Sequence, residues 1–162
     1  MKIAITDANI FIDLIYVELL DNLFEIDIEI HTTLNVVDEL NQNQQKALFT
    51  FAKKNQLTIH KQEVLDIPDD IKNNRRLSDS DKSVFSLALE LDAFILSGDG
   101  MIRKISYTKK IEIHGIFWLL DKFLESKLIT KKNARQRLKN LMEYNKRLPT
   151  DECEKRISDW GK

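Results

Sequence analysis

With 162 residues and 43% hydrophobic content, the chain is long enough to bury one real core and too short to divide into several domains. Its 25 basic and 26 acidic side chains leave a net charge of -1, which excludes bulk attraction to nucleic acid or anionic lipid, so any polyanion needs a local patch. The lone Cys153 excludes an internal disulfide and a CxxC zinc site; with no apolar run of membrane-spanning length and no basic-then-apolar leader, a reducing cytoplasm is the expected setting.

The four glycines and two prolines mark no linker, repeat or low-complexity tract. Residues 2 to 6 predict a short buried strand, after which Ile10, Phe11, Leu14, Ile15 and Leu19 recur at helical spacing. A second strand is expected at 26 to 30, then a helix from about Thr33 carrying Val36, Val37 and Leu40. A helix near 43 to 54 and a strand at 56 to 60 continue the alternation of stacked βαβ units.

The stretch 61 to 77, with Pro68, reads as irregular. Ser78 opens a strong helix that buries Val84, Phe85, Leu87, Ala88 and Leu91, followed by a strand at Ala93 to Leu96, a short helix from Asp99 to Ile105 and a strand at Ile111 to Ile113. The last third is helical: Ile116 to Leu124 forms a wide apolar stripe, and Thr130 caps a helix carrying Ala134, Leu138, Leu141 and Met142. Residues 1–145 are expected to form the domain and 146–162 a polar terminal helix or tail, partner-dependent or mobile.

Four acids sit at or near the ends of apolar stretches: Asp7, Glu39, Asp81 and Asp99. Ligands of open α/β sheets bind outside the carboxyl ends of the strands, where Asp7 and Asp99 fall, while Glu39 and Asp81 approach from flanking helices. Each alone has a duller role. Asp7 and Asp99 have the chemistry of helix N-caps, Ser78-x-x-Asp81 resembles a capping box, and Glu39 reads as a solvated helix residue.

Together they need a cation, because two unit charges about 4 Å apart repel by roughly 4 kcal/mol at an effective dielectric near 20. A hard divalent ion such as Mg²⁺ prefers oxygen ligands and keeps waters, leaving room for a phosphate. One or two such ions carry out nuclease chemistry. Asp38 and Asp79 are neighbouring acids, but a one-residue shift on a helix turns a side chain by about 100°, so Glu39 and Asp81 are kept.

Asp7-Ala-Asn9, Val36-Val-Asp-Glu39-Leu, Leu77-Ser-Asp-Ser-Asp81 with its Leu87-Ala88 helix, and Ile95-Leu-Ser97-Gly-Asp99, in that order, resemble the signatures of PIN domains. The resemblance spans roughly residues 2 to 125, and Gly115 to Thr130 is similar to the terminal helices of bacterial PIN proteins related to VapC-type toxins. It implies one α/β domain with a Rossmann-like parallel sheet of about five strands flanked by helices and a helical C-terminal extension. It also implies Mg²⁺ or Mn²⁺ and hydrolysis of single-stranded RNA by a metal-activated water attacking in line.

Carried over, Asp7, Glu39, Asp81 and Asp99 are the metal-site carboxylates, with Asn9 and Ser97 as supporting polar groups. An antitoxin segment and a second copy in a homodimer are the protein partners it implies. Arg75, Arg76 and Arg103 are close in sequence to the acids and are candidate RNA contacts, against the ordinary reading of solvated helix faces.

His31, His60 and His114 are dispersed near strand ends without ligand spacing and read as structural or surface residues. Cys153 has no partner to activate it as a nucleophile. The rival enzyme is a haloacid-dehalogenase-like phosphatase, but that class needs an acid where this chain has Asn9. A catalytically degenerate PIN domain that binds RNA or protein is the third reading.

Overall fold

The computed structural model describes residues 1–61 and 67–162. Five parallel strands, β1 (Lys2–Thr6), β2 (Ile28–Thr33), β3 (Leu57–His60), β4 (Phe94–Leu96) and β5 (Ile113–His114), make one sheet in the order β3-β2-β1-β4-β5. The helices between and after them are α1 (Ala8–Tyr16), α2 (Leu20–Leu23), α3 (Leu34–Asp38), α4 (Gln42–Lys53), α5 (Asp69–Lys72), α6 (Asp79–Leu91), α7 (Gly100–Thr108), α8 (Ile116–Glu125), α9 (Lys131–Tyr144) and α10 (Thr150–Trp160). An all-parallel sheet needs helices to cross back over it and cover it, which accounts for the apolar centre of β1 and the continuous apolar run of β4.

The central strands pair in register, Ala4 opposite both Ile30 and Phe94, and Ile95 opposite Ile113. Phe11 from α1, Phe85 from α6 and Phe123 from α8 are fully buried in the common core. The chain moves outward from β1 to β3 on one side and resumes at β4 on the other, so strand order reverses between β1 and β4. At that reversal the loops after adjacent strands part to opposite sides and open a crevice at the carboxyl edge. Asp7 and Asp99 follow the two strands that flank it.

Several boundaries differ from expectation for identifiable reasons. β2 runs on to Thr33 because its last threonines bury their hydroxyls with partners: Thr32 donates to the Thr6 carbonyl at 2.7 Å, and Thr33 lies 2.8 Å from Ser83 Oγ. β5 starts later than Ile111 because the Ile111 amide is already bound to the Ser106 carbonyl at the end of α7. The stretch 61 to 77 contains the one-turn helix α5 after Pro68, while residues 62–66 of it lie outside the described residues.

The C-terminal segment is tied to the rest. Cys153 of α10 is fully buried, and Arg156 bonds Asp121 of α8 and Glu152 of its own helix while lying over the Phe117 ring. Among the described residues no helix is long and apolar enough to cross a membrane.

Candidate active site

Asp7 is nearly buried, and its carboxylate is held from three directions. Oδ1 accepts from the Ala8 amide at 2.8 Å, while Oδ2 accepts from Ser97 Oγ at 2.8 Å and from Asn9 Nδ2 at 3.2 Å. Ser97 Oγ in turn accepts from the Asp99 amide at 3.1 Å, and Asn9 Oδ1 accepts from the Gly98 amide at 2.9 Å. The loops after β1 and β4 are thereby stitched across the crevice. Ser97, fully buried, links Asp7 directly to Asp99.

The duller readings also hold. Asp7 and Asp99 are the N-caps of α1 and α7, with Asp99 Oδ1 accepting from the Ile102 amide at 2.9 Å. Asp81 completes a capping box: Ser78 donates its amide to Asp81 Oδ2, and Ser78 Oγ accepts from the Asp81 amide, both at 3.0 Å. Capping consumes one oxygen and fixes the rotamer. Among the described residues, Asp81 Oδ1 and Asp99 Oδ2 are left without a hydrogen bond.

Burial pushes the Asp7 carboxyl above the usual range; its bonds from Ser97 and Ala8 oppose that, and the charges of Asp81 and Asp99 add to it. Glu39, at the end of α3, is raised by partial desolvation and then by the charges of Asp7 and Asp81. Asp81 is raised by desolvation and by Asp99, against the bonds from Ser78. The four acids therefore feel one another across the crevice. Asp38 and Asp79 are exposed and are not among the charges acting on them.

The donor set is all oxygen, which suits a hard divalent cation. The Ser80 hydroxyl, on a buried residue beside Glu39, favours the charged form of that carboxylate against the effects that raise its pKa. Among the described residues no three His, Cys, Asp or Glu side chains stand together at metal-holding distance, so an ion here would reach part of the set through its own waters, as Mg²⁺ commonly does.

A family model described as a PIN domain, DUF3368, matches residues 3–162. The chain belongs to that family. PIN domains are a superfamily of nucleases that generally use divalent metals. Among solved structures, this PIN domain is similar to a domain of a functionally unknown protein from Methanocaldococcus jannaschii, at 18% identity and TM-score 0.51 over 72% of this chain and 91% of that one. A PilT N-terminus domain protein from Sulfolobus solfataricus matches at 13% identity and TM-score 0.49 over 76% and 94%. No curated protein matches.

The basic candidates separate. Arg103, on α7, lines a cleft whose rim includes Asn9 and Gly98, beside the acids. Arg75 and Arg76 lie on the exposed turn before α6 and do not line that cleft. The histidines are less dispersed than their sequence positions indicate: His31 Nδ1 lies 2.8 Å from His60 Nε2, and Glu29 contacts His31 Nε2 at 3.0 Å. Parallel register makes the pair, since His31 faces Thr58 and His60 is two residues on, on the same face.

Sequence reasoning passed over Asp13, Asn145 and Arg147, which line the same cleft as Arg103. Asn145 Nδ2 donates to the buried Asp13 Oδ2 at 3.0 Å. The available signal was a lone acid inside the apolar run Ile10-Phe-Ile-Asp13-Leu-Ile15 of a helix.

Proposed function

We propose that this PIN domain is a metal-dependent endoribonuclease that hydrolyses phosphodiester bonds of single-stranded RNA. The observation that carries the reading is the bonded link from Asp7 through Ser97 to Asp99 at the strand-order reversal, with Glu39 and Asp81 near enough for charge to act between them and Asp7. These four residues would hold one or two Mg²⁺ or Mn²⁺ ions, which when bound lower the pKa of a water and stabilise the leaving oxygen. Asn9 and Ser97 orient Asp7, and the cap on α7 orients Asp99, so the carboxylates are preorganised before substrate arrives. Arg103, which shares a cleft with Asn9 and Gly98, is the phosphate contact in this reading.

The phosphatase reading requires an acid at position nine. Asn9 is instead a bridge, with its amide nitrogen on Asp7 and its oxygen on the Gly98 amide. An antitoxin segment, a second copy of the chain and a cytoplasmic setting are partners and a place that extend the same proposal. Labelled single-stranded RNA incubated with Mn²⁺ tests it: the wild type is expected to cleave, and Asp7→Asn to lose at least about a hundredfold, the scale seen when a preorganised charge is removed. Equal cleavage by the variant, or none by the wild type, overturns the nuclease reading.

A further inference from the structure

We propose that the cleft between α1, α7, α8 and the α9–α10 connection is the track along which the RNA strand runs away from the scissile phosphate. The proposal rests on the nuclease reading and adds the face and the residues that hold the strand. The cleft encloses about 930 Å³ and begins at the acids, because Asn9 and Gly98 belong both to its rim and to the Asp7 network. That is close to the upper end for a small-molecule pocket, and it is open, so it has room for nucleotides in series.

Its charges face a common space. Arg103 stands on the α7 wall, with Lys146 and Arg147 on the α9–α10 connection, and none of the three forms an ion pair among the described residues. Three acids also line the cleft, one of them already paired with a cation. Glu152 bonds Arg156 at 2.9 Å, while Asp13, which accepts from Asn145 and feels the Arg147 charge, and Asp151 are the acids that oppose a phosphate. Phe117 and Tyr144 also line it, each with one ring face already covered, by Arg156 and by Tyr16, so bases can stack only on the remaining face.

The connection is fixed rather than loose. Asn145 is bonded to Asp13 across the cleft, and its Oδ1 accepts from the Arg147 backbone amide at 3.0 Å, so the backbone that carries Arg147 is held before a strand binds. Prepaid ordering of this kind lowers the cost of association.

Binding of a short fluorescently labelled single-stranded RNA is measured by anisotropy over a salt series, using the Asp7→Asn chain with Mg²⁺ to prevent cleavage. The Lys146→Gln, Arg147→Gln double variant is expected to bind about tenfold more weakly and to lower the slope of log affinity against log salt by about 1.4, or two single-strand phosphate contacts. Asp151→Asn is expected to tighten binding by about twofold, a gain that misfolding cannot mimic. Unchanged affinity and slope in the double variant, or no binding by the parent chain, overturns the track. Cleavage by the wild type alongside unchanged binding leaves the nuclease reading standing without the track, and groove-dependent binding without cleavage leaves the track and removes the nuclease.

Discussion

At Asp13 a carboxylate is buried on α1 among isoleucines and leucines, and desolvation raises its pKa to about 6 despite the Asn145 bond and the nearby Arg147 charge. In the unfolded chain an aspartate titrates near 3.9. Between about pH 4 and 6 the folded state therefore holds a proton that the unfolded state has released, so the stability from this group is full at low pH and lost as pH rises through 6. The full difference is on the order of 3 kcal/mol. Asp13→Asn keeps an oxygen for Asn145 and removes the charge, so it is expected to stabilise the fold by about 1–3 kcal/mol at pH 8 and flatten the pH dependence between 4 and 6 in urea titrations. Asp7 differs from Asp13 in kind: its cost is shared with other acids, while Asp13 stands alone.

Helix termini show how local rules operate without their usual residue. Glu18, Asn55, Asp92, Lys110 and Lys127 all have positive φ between 50° and 62°, at the ends of α1, α4, α6, α7 and α8. Each is followed by an amide bonded five residues back, Leu19 to Leu14, Gln56 to Phe51, Ala93 to Ala88, Ile111 to Ser106 and Leu128 to Phe123, the Schellman pattern. Glycine normally takes that position, since a side chain there costs roughly 1 kcal/mol or more. Lys127→Gly, at an exposed site, is expected to stabilise the protein by about 0.5–1 kcal/mol in chemical denaturation, with no change in secondary structure by circular dichroism. With no glycine to mark these ends, sequence periodicity located the helices while missing their stops, as at α7, which runs three residues beyond Ile105.

For the whole molecule, the acid edge is a charge concentration that the fold tolerates. Asp7, Glu39 and Asp81 all have raised pKa values through burial and mutual repulsion, so their contribution to stability is lost as pH rises above the ordinary carboxylate range. A divalent cation binding the folded state alone stabilises it by mass action, by about 2.7 kcal/mol at a hundred times its Kd. Millimolar Mn²⁺ is therefore expected to raise the melting temperature at pH 7.5, to do so much less at pH 5 where the carboxyls compete as acids, and to leave Asp7→Asn unmoved. Chelation reverses the effect. A melting temperature that ignores Mn²⁺ in the wild type at pH 7.5 removes the metal from the proposal.

The sequence by itself determined the alternating α/β order, because apolar runs and helical periodicity record which faces must leave water. It also identified the caps, Ser78 with Asp81 and Thr130, because capping is satisfied within a few residues of chain. What only the tertiary structure decided depends on distance in space between residues far apart in sequence. Ser97 reaching Asp7 across 90 positions, His31 meeting His60, and Asn145 closing on Asp13 leave no periodic trace, since a single polar contact per element averages away in any pattern. The same applies to the four acids. Read along the chain, three of them look like caps and Glu39 like a solvated helix residue, and those three do cap helices, but only the fold brings the four near enough for their charges to act on one another.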